Sequence, residues 1–153
     1  MKPLLLLALA LCGLSMAHAL ELTLSVLSPE KADIREAAFS PRVRVAEEQQ
    51  QFDSYTAKDL LPLYSERLDG KIRALYVEKP KGCAFWTFAG MDGTILLKRH
   101  EKHRKEGFVL VSCVAVKTDL GQEYWATWVS EDSEKAILRE MRRFGISQAA
   151  IKK

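Results

Sequence analysis

The chain has 153 residues, with 23 lysines and arginines against 20 aspartates and glutamates and three histidines, a formal net charge of +3. That length suits one ordinary domain, which can bury most of its unfolded surface without an obligatory staple. The charge is too balanced to imply a nucleic-acid partner, and no segment approaches about 18 consecutive apolar residues, so no membrane-spanning helix is expected.

Residues 1–19 combine one positive charge at Lys2, an apolar run over 4–11 and the small-x-small ending Ala17-His18-Ala19. This is the layout of a secretory signal peptide cleaved before Leu20. It makes residues 20–153 a single exported domain, with the periplasm as the expected destination and release to the exterior as the alternative. A lipidated Cys12 is not expected, because Leu11 stands where a small residue would precede such a cysteine. Cleavage also removes His18, leaving Cys83, Cys113, His100 and His103.

Leu20, Leu22, Leu24 and Val26 alternate with polar neighbours, which predicts a half-buried strand over 20–27. Ser28-Pro29-Glu30 supplies a cap, a first-turn proline and an early carboxylate, and Ile34, Ala37 and Ala38 share a face, so a short helix ending near Phe39 follows. Ser40-Pro41 breaks it, and residues 42–45 alternate as a short strand. Residues 47–51 have no apolar face and are expected as a solvated connection. From Thr56, placed as an N-cap, Ala57, Leu60, Leu61, Tyr64 and Leu68 follow helical spacing. Pro62 falls inside that pattern, where an interior proline costs about 3 kcal/mol and implies a kink.

After the stop at Asp69-Gly70, residues 71–79 form a strand, and Pro80-Lys81-Gly82 turns into the first of two runs rich in aromatic and β-branched residues. These runs, 82–89 and 108–116, each contain a cysteine and are expected as central strands. Between them lie a turn at Gly90-Met91-Asp92-Gly93, a short strand over 94–97 and a charged stretch over 98–106. The turn Asp119-Leu120-Gly121 and a strand over 123–129 complete a set of antiparallel hairpins. Ser130, an acidic first turn and Arg139, Arg142 and Arg143 frame a last helix ending at Gly145. Residues 146–153 are left as a loose tail.

The element order predicts an α+β fold: a mostly antiparallel sheet with the C-terminal helix packed on one face. In an oxidising compartment the two remaining cysteines predict a disulfide between Cys83 and Cys113. On the chain-entropy model, that staple is worth roughly 3.5 kcal/mol.

Functional candidates fall into two groups. Arg99, His100, Lys102, His103, Arg104 and Lys105 would form a positive hairpin tip able to meet an acidic protein or another anion. Trp86, Trp125 and Trp128 sit on strands whose alternation puts aromatics on both faces, with Trp125 turned away from Trp128. No catalytic constellation emerges. Cys83 with His100 or His103 is the one nucleophile and base pair that can be assembled. His-x-x-His alone does not close a zinc site, Gly90 and Gly93 lack a phosphate-loop pattern, and no metal or cofactor is expected. The reading is a small non-enzymatic protein that binds another envelope or exported protein, as an inhibitor, toxin-neutralising factor or accessory subunit. The alternatives are a thiol enzyme using Cys83 or Cys113, and a metal or anionic-ligand site between His100 and Lys105.

Overall fold

The computed structural model describes residues 24–25 and 39–151. The expected signal peptide, the helix over 28–38 and all but the centre of the strand over 20–27 lie outside these residues. The elements run β1 (Leu24–Ser25), β2 (Val43–Arg44), α1 (Glu48–Thr56), β3 (Leu60–Leu68), β4 (Lys71–Glu78), β5 (Phe85–Met91), α2 (Gly93–Lys105), β6 (Phe108–Thr118), β7 (Gly121–Ser130), α3 (Glu134–Arg143) and β8 (Ala150–Ile151). The fold is α+β, and every strand pairing among the described residues is antiparallel. Two three-stranded sheets, β2-β4-β3 and β5-β7-β6, are accompanied by the short pair β1-β8.

The sheets share an apolar core. Leu61, Leu63 and Leu75 of the first sheet meet Val111, Val114, Trp125 and Val129 of the second, and Ile137 and Met141 of α3 close the layer. Full burial of each such aliphatic side chain contributes roughly 1.5–3 kcal/mol. One polar contact crosses the layer, where the Thr127 hydroxyl donates to the Pro62 carbonyl at 2.9 Å. The opposite face of the second sheet is covered by α2, whose Leu96 packs with Met91, Leu110, Cys113, Tyr124 and Trp128 in a second cluster.

The expected staple is absent: Cys83 and Cys113 are both free and buried. Cys83 belongs to the inter-sheet core and Cys113 to the cluster under α2. The thiols therefore serve opposite faces of one sheet. Strand β7 also lies between the two cysteine-bearing segments. Two strand spacings of about 4.8 Å already exceed the roughly 7 Å Cα separation that a disulfide tolerates.

The helix expected from Thr56 is instead strand β3. Leu61, Pro62, Leu63 and Tyr64 are buried in succession, and the register shifts between Pro62 and Tyr64. A proline without an N–H is tolerated on this edge strand beside the irregularity, whereas an interior helical position would lose a hydrogen bond. Thr56 ends a helix rather than starting one: its hydroxyl donates back to the Phe52 carbonyl at 2.9 Å. That helix, α1, takes up most of the stretch expected as a solvated connection. It is held by Gln51, whose amide donates to the Pro41 carbonyl, and by stacking of Tyr55 on Tyr76 at 4.3 Å.

The C-terminal helix follows its sequence signals more closely. Gly145 takes a positive φ of 72°, and the Ile146 amide returns to the Met141 carbonyl at 2.9 Å, the bonding that closes a helix through a left-handed glycine. Beyond it, in the stretch left as a tail, Ile146 and Ala149 are buried and β8 pairs with β1.

Candidate functional site

The charged stretch expected as a strand and hairpin tip is the body of helix α2. Asp92 caps it, accepting from the Ile95 amide at 2.8 Å. Its last turn holds Lys102, His103, Arg104 and Lys105, cations that complement the carbonyl end of the helix dipole. Gly107, at φ 81°, ends the helix and leads into β6. The run is a helix rather than a loop because Leu96, Arg99, His100 and His103 recur at three- and four-residue spacing. These are the side chains that meet the sheet.

His103 is the centre of that contact, 1% exposed. Its ring stacks on Trp86 at 5.4 Å and on Phe88 at 5.8 Å, and meets Trp128 at 5.3 Å and Phe108 at 6.0 Å. Nδ1 lies 3.2 Å from Glu106 Oε2, so the proton on Nδ1 donates to the carboxylate. Nε2 is buried with no hydrogen-bond partner among the described residues. One turn earlier, His100 Nδ1 accepts from the Trp128 indole at 3.3 Å. Arg99 lays its guanidinium over the Phe88 ring at 3.6 Å. Its Nε is a second buried polar atom of this cluster without a partner among the described residues.

Strand β5 forms the rim of this cluster. It pairs with β7 alone among the described residues, and the segment Phe85–Met91 contains neither a charge nor a proline. Sheet edges are usually blunted by such residues. Trp86, 44% exposed, projects from this edge with one ring face on His103. Helical spacing places Lys102 on the Arg99 flank beside Phe88, and Arg104 on the other flank. Lys102 makes a long ion pair with Glu106, at 3.8 Å.

The structure thus gathers Trp86, Trp128, Arg99, His100 and His103 into one cluster with Lys102 at its rim, and leaves Arg104 and Lys105 exposed on α2. Trp125 does not join them, being buried between the sheets. Phe88, Phe108 and Glu106 are members that sequence reasoning had not assigned to a site. Counting the imidazoles as core residues would have shown both the helix and its buried face.

Cys113 is 0% exposed, and burial pushes its thiol up to about 12, which leaves no thiolate for catalysis near neutral pH. No group of three or more potential metal ligands occurs among the described residues, and none of their helices is long and apolar enough to cross a membrane. Comparison with protein-family models, curated proteins and solved structures returns no match.

Proposed function

We infer that this is a small exported protein of the periplasm that acts by binding. Its partner is another envelope or exported protein that presents an extended acidic segment, and the complex works as an inhibitor, a toxin-neutralising pair or an accessory assembly. The observation that carries this reading is the half-exposed Trp86 on the uncharged strand β5, which has no second strand partner among the described residues and is flanked by Arg99 and Lys102. An edge strand of this kind accepts a further strand through its free backbone groups. A large aromatic anchor supplies contact area at little entropic cost, and flanking cations favour an acidic sequence and speed its encounter.

The test is capture of exported proteins on the immobilised chain, run in parallel with Trp86→Ala and with the Arg99→Glu, Lys102→Glu double variant. A partner retained by the parent and lost by both variants is expected, with retention weakening as salt rises. Retention that survives both changes, or no specific partner at all, would sink the reading.

A further inference from the structure

A groove of about 640 Å³ runs between the end of β4 with its following turn and the flank of α3. Its size falls in the range of small-molecule sites, roughly 300–1,000 Å³. Leu60, Val77, Ala136 and Phe144 give it an apolar floor. Four cations stand on its two walls, Lys79 and Lys81 on the turn and Arg139 and Arg143 on α3, against two carboxylates, Glu78 and Glu140.

Internal pairing removes part of this charge. Arg143 donates to both Glu140 oxygens, at 3.2 and 3.0 Å, and Lys79 pairs with Asp59 at 3.0 Å. Lys81 and Arg139, on opposing walls, have no ion-pair partner among the described residues. Both are exposed, so they are held in water and not by the fold. A floor that favours hydrocarbon lies between two cations that favour an anion.

We propose that this groove binds a small amphipathic anion, an acidic head group on an aliphatic or aromatic body. The head lies between Lys81 and Arg139, and the body covers Val77, Ala136 and Phe144. The guanidinium of Arg139 can hold a carboxylate, sulfonate or phosphate through two parallel N–H donors. The apolar body supplies the hydrophobic part of the affinity. This site is separate from the cluster at α2 and does not depend on the partner-binding reading.

The test uses anilinonaphthalene sulfonate, an aromatic sulfonate that fluoresces in apolar sites, titrated into the purified chain and then displaced with decanoate. Saturable binding is expected, at least tenfold weaker in the Lys81→Glu, Arg139→Glu double variant and abolished in Ala136→Trp, which fills the floor. Trp86→Ala at the other site is expected to leave it unchanged. The charge variants alter only exposed side chains, and matching thermal melts confirm that they fold. Undiminished affinity in the double variant overturns the proposal. So does displacement by decanol as effective as by decanoate, which makes the site merely greasy, or by inorganic phosphate, which makes it a simple anion site.

Discussion

The two faces of the second sheet are covered by different chemistry. Towards the first sheet, Val111, Val114, Trp125 and Val129 meet leucines and the aliphatic side of α3. Towards α2, Trp128 and Phe88 meet His100, His103 and Arg99. The first layer is mostly hydrocarbon on hydrocarbon, with the Tyr64 hydroxyl as a buried polar atom that has no partner among the described residues. The second buries nitrogen against π faces and leaves Arg99 Nε and His103 Nε2 without partners. Unpaired buried polar atoms cost stability, and the α2 layer carries two, both nitrogens of ionisable side chains, against the one hydroxyl of Tyr64 in the first layer. Leucines at 99 and 103 would remove both unpaired atoms, whereas His100 accepts from the buried Trp128 indole.

The two layers should respond differently when each is weakened in turn. Leu75→Ala, at a position with 0% exposure in the inter-sheet core, is expected to cost about 2–5 kcal/mol by urea denaturation. A loss below about 1 kcal/mol would show that the inter-sheet layer does not carry the stability.

Alkaline pH probes both layers at once. Burial pushes Cys113 from its ordinary value of 9.0 to about 12. Burial, followed by the carboxylates of Glu66 and Glu48, pushes Tyr64 and Tyr76 from 10.0 to about 12. Unfolded, these groups shed protons near 9 and 10, while in the folded chain they retain them. Above pH 9 the native state therefore holds more protons than the unfolded state, and stability falls as pH rises. The contribution is complete below pH 9 and is lost towards pH 12. Urea midpoints at about pH 8 and about pH 11 should show the loss, and Cys113→Ala should reduce its slope. An unchanged slope would mean that water reaches the thiol.

Smaller effects sharpen the contrast further. His103→Leu removes the bond to Glu106 but also an unpaired acceptor, so stability is expected within about 1 kcal/mol of the parent. A loss of about 3 kcal/mol or more would show that the ring contacts and the Glu106 bond of His103 hold α2 on the sheet. The smallest effect is expected from reductant, because no disulfide joins the two faces. The thermal midpoint should not move, and denaturing alkylation without reduction should add an alkyl group to both Cys83 and Cys113. A monomer that takes up none would contain the bond that the sheet geometry forbids.

Strands β4, β6 and β7 and helix α3 could be read from the sequence because each has one dominant signal: alternation or a β-branched run between turns, or an amphipathic face with an acidic start and a left-handed glycine at its end. The region around Pro62 could not. Leu60, Leu61, Leu63 and Tyr64 satisfy a helix and a buried strand equally over so short a run, and the proline that argued for a kink was evidence for an edge strand. Helix α2 is not legible in the sequence, because arginine and histidine ordinarily face solvent. Their burial depends on Trp86, Phe88 and Trp128, which arrive from strands distant in sequence. The candidate site was thus legible as a set of residues but not as a geometry.

The sequence alone determined the antiparallel α+β class, the opposed faces of Trp125 and Trp128, and the closure of α3 at Gly145, since these follow from local periodicity and backbone preference. Only the tertiary structure decided that Cys83 and Cys113 stay apart, that Trp125 leaves the cluster that Trp86 and Trp128 join, and that α3 and the β4 turn enclose a groove. Strand order and the shift between Leu110 and Ser112 set which face each side chain serves. With that shift, Leu110 and Cys113 share the face under α2 although they are an odd number of residues apart, a parity that strict alternation would have reversed.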